Sequence, residues 1–413
     1  MGDMQGREVE LDVTGIAHGG ISVARLDGRV VFVSDTLPGE KVRARVTDDR
    51  KKSFWRAETV AVLEPSEHRR EHVWSAAALD VAPERRAGGA EFGHIALPHQ
   101  RALKAQVVRD ALVRTGGMGE AEATVEVAAL PGDDERGGTG WRTRVRLHVD
   151  ADGRPGPYAV RSHTVVHDDD LPLATPEVAE AAPLGDAFPG EQHVDVLATS
   201  DGGARLIIGD QARSTVTERV GDREFQLDDR GFWQVHRHAA ETLSAAVREL
   251  VDPEAFDPRA ANLDLYGGVG LLAAALGDEF GPATRVTSVE SDERATEHAS
   301  ENLAEWLGAS AVTGRVERWI RQVASQAGAA ERSRHRAATV VLDPPRSGAG
   351  REVVEAITEL APAQVVYVAC DPVALARDVA LFRDGGYDVD ALRAWDLFPS
   401  THHVETVVRL RRR

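Results

Sequence analysis

From residue 231 onward, short apolar runs alternate with stretches whose apolar residues recur at helical spacing. ANLDLYG, RVTSVES, ATVVLDPP and QVVYVACDP read as buried strands, each stopping at Gly, Pro or an acid. HRHAAETLSAAVRELV, VGLLAAALG, ERATEHASENLAEWLG, REVVEAITELA and VALARDVALFRDG carry the helical period around and between them. Alternation of this kind predicts a doubly wound, mostly parallel α/β sheet. The chain closes on two consecutive strand-like runs, DVDALRAWDLF and HVETVVRLR, so an antiparallel hairpin is expected at one edge.

The pattern before residue 231 is different. Residues 5–64 hold five short β-like runs separated by GG, DG and PGE turns, which predicts a small closed barrel of the OB type over residues 1–65. Residues 66–97 are charged and without period, and 98–116 space Leu103, Val107, Ala111 and Leu112 as one amphipathic helix that can pack with the last domain. Strand-like segments and turns up to residue 230 predict an antiparallel α+β unit, giving domains at 1–65, 66–230 and 231–413.

Composition narrows the class. The chain has 413 residues, 42% of them hydrophobic, and no apolar run long enough to span a bilayer. Its start, MGDMQGREVELDV, lacks the apolar core of a signal peptide, and one cysteine excludes an internal disulfide; a soluble cytoplasmic protein is expected. The net charge of −18 excludes a protein that coats nucleic acid by bulk electrostatics, but not local phosphate contacts from clusters such as Arg142, Arg144 and Arg146. The acids of HDDD at 167–170 alternate direction and read as a solvated loop rather than a metal site. His402 and His403 are adjacent, are expected to point apart, and carry no metal role.

Ligands of open α/β sheets bind outside the carboxyl ends of the strands. Here those ends are chemically loaded. LDLYGGVG is a glycine turn at which Gly268 and Gly270 let the backbone approach a ligand. Glu290 follows Gly270 by 20 residues, the spacing of an acid that accepts ribose hydroxyls. Asp343 precedes Pro344 and Pro345, and Cys370 precedes Asp371 and Pro372. An antiparallel last strand puts Glu405 on the same rim. Taken singly, Glu290 reads as a helix cap, Asp343 as a turn residue and Cys370 as core; their convergence on one rim argues for a site with Cys370 as nucleophile.

DLYGGVG, VES, VVLDPPRSG, VVYVACDP and PSTHHVE resemble, in order, the motifs of the RNA uracil-C5 methyltransferases that use S-adenosylmethionine. GFWQVHRHAAETL at 231–243 resembles the segment whose glutamine, here Gln234, touches the cofactor, and residues 8–64 are similar to the RNA-binding TRAM barrel. The resemblance implies a class I, Rossmann-like methyltransferase domain acting on rRNA or tRNA, with no obligate protein partner and no membrane. It also implies Gln234, Tyr266, Glu290 and Asp343 as cofactor contacts, Cys370 as the nucleophile at uracil C6 and Glu405 as the base that removes the C5 proton. Many members hold an iron–sulfur cluster through four cysteines, including a CGGC motif. Here Ala87 and Ala90 stand in that motif and Asp170 at a further cysteine position, so no such cluster is expected. Leu271 also departs from a polar cofactor contact of some members, and Arg315 is unlike its counterparts. Amino-group methyltransferases place Tyr or Phe where Arg346 follows the Asp-Pro-Pro, and cytosine-C5 enzymes arrange their motifs differently. An RNA-binding factor with a relic catalytic half remains the non-enzymatic alternative, opposed by the joint presence of Cys370 and Glu405.

Overall fold

The computed structural model describes residues 4–413. Strands β1 (Glu8–Ala17), β2 (Ile21–Leu26), β3 (Arg29–Ser34), β4 (Lys41–Asp48) and β5 (Phe54–Glu64) close into a barrel in the order β1-β2-β3-β5-β4. The period of two explains it: Leu11 and Val13, Val31 and Val33, and Val42 and Ala44 point inward and fill the core, leaving the polar alternates to solvent.

Residues 66–97 form two short 3-10 turns, Ser75–Ala77 and Pro83–Arg85, and are held by charge rather than by regular structure. Arg69 donates to buried Glu40 at 2.5 and 2.8 Å, and Arg86 to Asp35 at 2.7 Å, so both arginines clasp the barrel. Helix α1 (Leu97–Arg114) begins on Pro98 at its first turn and ends two residues before the expected boundary. Its Val108 and Leu112 are buried in the core of the last domain together with Met118, Ala123 and Val127.

The next strands are β6 (Val127–Ala128), β7 (Arg144–Val149) and β8 (Pro155–Gly156), followed by α2 (Pro176–Ala181), β9 (His193–Ala198) and β10 (Ala204–Ile208). Four of these make an antiparallel sheet in the order β10-β9-β7-β8, whereas β6 joins the sheet of the last domain. Ala87 and Ala90 lie fully buried in an apolar cluster with Trp74, Trp141, Leu147 and Leu171. Alanine methyls thus pack at the two positions where the resemblance in sequence has cysteines. Asp168 of the acidic run accepts the Trp74 indole N–H at 2.5 Å, a packing role. Among the described residues, no group of three or more His, Cys, Asp or Glu side chains is placed to hold a metal ion. Nor is any described helix long and apolar enough to cross a membrane.

A hairpin of β11 (Thr215–Val220) and β12 (Arg223–Asp228) packs Val216, Phe225 and Leu227 against α3 (Ala239–Leu250) and α4 (Leu271–Phe280). The remaining elements are β13 (Asn262–Leu265), β14 (Arg285–Glu290), α5 (Glu293–Asn302), β15 (Gly308–Thr313), α6 (Val316–Gln326) and α7 (Ala329–Arg336), then β16 (Thr339–Leu342), α8 (Arg351–Leu360), β17 (Gln364–Ala369), α9 (Pro372–Asp384), β18 (Tyr387–Trp395) and β19 (Glu405–Arg412). They form an eight-stranded sheet in the order β15-β14-β13-β16-β17-β19-β18-β6. The first five are parallel, and β19 runs antiparallel to β17 and β18, as the terminal pattern predicts.

Two features depart from the pattern. The helix expected through Gly308 stops at Asn302, and β15, α6 and α7 follow before β16. GASAVT carries only Val312 and Thr313 as β-branched side chains, on a half-exposed edge, so it shows little of the burial or the propensity by which a strand is recognised. The rings of His402 and His403 lie 4.0 Å apart instead of pointing away from each other, because residues 396–404 are an irregular turn, with Ser400 at φ +66°, and strand alternation does not apply.

Candidate active site

The sheet reverses its order beside β13, and the carboxyl ends of β13, β14, β16 and β17 surround a cavity of about 820 Å³. Gln234, Tyr266, Gly268, Glu290, Asp343, Cys370 and Glu405 all line it. Gly270 does not: it caps α4 at φ +89°, and a Cβ there would press on the Leu303 side chain at 3.1 Å. Within this turn the glycine under greatest constraint is Gly267, which the pattern did not single out. A Cβ there would fall 2.0 Å from Ser288 Oγ and 2.6 Å from an Asp264 carboxylate oxygen. Tyr266, just before it, holds φ +64°, a left-handed conformation that a non-glycine residue keeps only under tertiary constraint.

Local sequence sets how Cys370 is presented. Asp371 caps α9 by accepting the N–H of Val373 at 3.0 Å and of Ala374 at 2.8 Å, with Pro372 at the first helical position. The strand therefore turns sharply at Cys370. The second Asp371 oxygen meets His18 of the barrel's β1–β2 turn at 3.2 Å, tying the barrel to the rim. Across the sheet Ala369 pairs with Thr406, so Cys370 and Glu405 occupy the next facing positions.

Charge in this cavity is crowded. Burial, then the charges of Glu405 and Asp343, push the Cys370 thiol up to about 12; Arg346 pulls the other way. Asp343 is raised to about 7 by burial and by Asp264. Glu405 is raised well above the usual carboxylate range by burial and by Asp343. Asp264, raised to about 7 mainly by burial, sits beneath the glycine turn and accepts from Ser288 Oγ and the Ala273 N–H, both at 3.2 Å. Glu290 accepts from Ser291 and Asp292 N–H groups through one oxygen, while its other oxygen has only a 3.3 Å contact with the Gly268 N–H. That second oxygen is available to a ligand.

Several wall residues escaped the sequence reading. Asp228 ends β12 and binds Arg294 at 3.0 Å and His298 at 2.9 Å, partners distant in sequence. Phe232 lines the cavity although 73% exposed. Of the three alternating arginines, Arg144 is bound to Glu218 and Arg146 to Asp195, but Arg142 lines the cavity, facing Arg346. Alternation alone did not separate them.

Residues 2–56 match the TRAM domain family model, and residues 254–413 match the family described as tRNA (Uracil-5-)-methyltransferase. The chain is 39% identical to an uncharacterised RNA methyltransferase of Streptomyces coelicolor, over 98% of this chain and 93% of the relative. The chain belongs to the RNA (uracil-5-)methyltransferase family. As a member of it, the protein is an S-adenosylmethionine-dependent RNA methyltransferase. A Bifidobacterium longum RNA methyltransferase, also uncharacterised, is 36% identical over 97% of this chain and 96% of its own length. The fold is shared with the Pyrococcus abyssi tRNA (uracil-54, C5)-methyltransferase crystallised with S-adenosyl-L-homocysteine: TM-score 0.69, 21% identity, 97% of this chain and 100% of that one covered.

Proposed function

We propose that this methyltransferase transfers a methyl group from S-adenosylmethionine to C5 of a uridine in ribosomal or transfer RNA, through a covalent bond between Cys370 and C6. The carrying observation is that Cys370, one residue past the end of β17, and Glu405, at the start of antiparallel β19, follow the paired Ala369 and Thr406 and share one cavity with Gln234, Tyr266, Gly268, Glu290 and Asp343. The donor set fits the cofactor. A buried carboxyl with a raised pKa at Asp343 gains most from a nearby cation, Glu290 offers an oxygen to a ribose hydroxyl, and Gly268 leaves open space over the turn. When bound, the cofactor supplies the methyl group and a fixed positive charge.

Uracil C5 is too weak a nucleophile to take the methyl group unaided. The Cys370 thiol passes its proton to solvent and adds to C6 as the thiolate, and the C5–C6 π electrons move into an enolate that makes C5 nucleophilic. After C5 is methylated, Glu405 in its ionised form takes the C5 proton, the C5–C6 double bond re-forms and the C6–S bond breaks, returning the thiolate. The resting thiol is protonated, and Arg346 favours the thiolate that the first step needs. Phe232 presents an exposed ring on the wall, a stacking face for a base drawn out of its strand. The single cysteine and the acidic surface accord with a cytoplasmic enzyme.

RNA carrying 5-fluorouridine at the methylated position tests the reading. Fluorine cannot leave as a cation, so enzyme, cofactor and RNA should form a denaturation-resistant complex through Cys370. Turnover of the natural RNA without any trapped complex would overturn the covalent route. Mapping 5-methyluridine in RNA from a deletion strain identifies the target.

A further inference from the structure

A second cavity, of about 610 Å³, opens where the barrel turn, the central sheet and the catalytic loop meet; Gly19, Arg142, His148, Tyr158, Arg161 and His402 are on its walls. Its size falls in the ~300–1,000 Å³ range of small-molecule sites. Arg142 belongs to the walls of both cavities, and His402 lines the second while His403 lines the first. The two are therefore immediate neighbours.

The chemistry of the second cavity differs from that of the first. His148 and Tyr158 stack face to face, centroids 3.5 Å apart and 6° from parallel, and Leu171, Pro172 and Leu173 add apolar wall. Its acid, Glu91, is engaged: one oxygen accepts the Gly89 N–H at 3.2 Å and the other lies 3.5 Å from His402. Arg142 donates through Nε to the Arg144 carbonyl at 3.0 Å, lies over the Trp141 ring at 5.6 Å and feels the charge of Glu91, with its terminal nitrogens making no hydrogen bond among the described residues. No carboxylate pairs with Arg142 or Arg161 among the described residues, although Arg146 on the same wall is bidentate to Asp195 at 2.7 and 2.8 Å. In a chain of net charge −18, arginines left without acids beside an aromatic stack are ready to meet an anion.

We propose that this cavity receives the nucleotide adjoining the target uridine, its base on the Tyr158–His148 wall and the phosphate between the two nucleotides at Arg142. The proposal rests on the reading that the first cavity takes the target uridine. Single-stranded RNA is bound by stacking on aromatic faces and by arginine at the backbone, and both elements occur here at the distance of one shared wall. Two cavities joined at Arg142 hold two consecutive nucleotides splayed apart. Ala87 and Ala90 form apolar core beside this site, and Gly88 and Gly89 between them bring bare backbone to the wall.

The test uses the full chain and an RNA of the mapped target sequence with 5-fluorouridine at the target and a photoreactive thiobase at either neighbour. The fluorinated base reports the first cavity through the Cys370 adduct. The thiobase reports the second, and its crosslink should map by mass spectrometry to residues 157–162 or to His148, from one neighbour only. An adduct with crosslinks elsewhere overturns the second cavity and leaves the methylation reading standing. Crosslinks at these residues without an adduct do the reverse, and failure of both overturns both. In parallel, His148→Ala should raise KM for RNA about tenfold with kcat unchanged, the loss of one stacked base, and His148→Phe should restore it. An unchanged KM in His148→Ala, with a melting temperature equal to that of the parent, overturns the stacking role.

Discussion

In the active-site cavity a thiol and buried acids raise one another's pKa, whereas in the adjoining cavity the acid is already engaged and the arginines are left over. Both are concave, both are rimmed by loops, and they share Arg142. Burying like charges is costly and is retained where protonation must change during a reaction. Unpaired cations beside stacked rings have no proton to move and serve recognition. On the proposed reading, electrostatic frustration separates the place of chemistry from the place of grip.

The comparison can be broken at graded points. Cys370→Ser should abolish turnover while leaving cofactor binding by calorimetry intact; residual methylation of purified RNA by this variant would assign the nucleophile elsewhere. Glu405→Gln should lower turnover by about 10²–10⁴-fold and accumulate a methylated adduct that does not release RNA, visible on denaturing gels. Normal turnover in that variant would remove Glu405 from the mechanism.

The acids also set a pH dependence. Asp343 is raised to about 7, so its ionised form grows as pH rises through neutrality, and a cationic cofactor prefers that form. Cofactor affinity should therefore climb between pH 6 and about 8, then level off. Asp343→Asn should flatten that profile and weaken binding about 10- to 100-fold, the size of a lost hydrogen bond to a charged group. Arg346 acts on the thiol with the opposite sign. Removing it in Arg346→Ala raises the Cys370 pKa further and should slow iodoacetamide labelling at every pH below about 12, measured by mass spectrometry.

The smallest effect is expected at the barrel contact. His18 is partly exposed and its pKa is raised by Asp371, so the tie is strongest below pH 6.5 and is lost as pH rises through the raised value. His18→Gln should cost under about 1 kcal/mol by thermal melting at pH 6, and nothing at pH 9. A larger loss, persisting at high pH, would make the turn a structural element and not a charge contact.

How much was legible beforehand follows from the range of the forces involved. Strand ends are local events. Asp371 and Pro372 encode a cap and a first turn whatever lies around them, so the presentation of Cys370 was readable in three consecutive residues. The apolar runs of β13, β16 and β17 are buried on both faces and announce themselves by composition. The edge strand β15 buries little and was missed for that reason. Gly270 lies beside the Leu303 side chain and off the cavity wall, because a sequence shows that a glycine is present and not what packs against it.

By itself, then, the order of residues determined the barrel, the alternating α/β half, and which types of side chain stand at the strand ends, since propensity, capping and period two or 3.6 act between near neighbours. Only the tertiary structure decided that Cys370 faces Glu405, that β6 joins the sheet of the last domain, and that Arg142 goes without an acid while Arg144 and Arg146 find theirs. Those outcomes depend on strand register and on partners far along the chain, whose burial and charge exist only once the segments have packed.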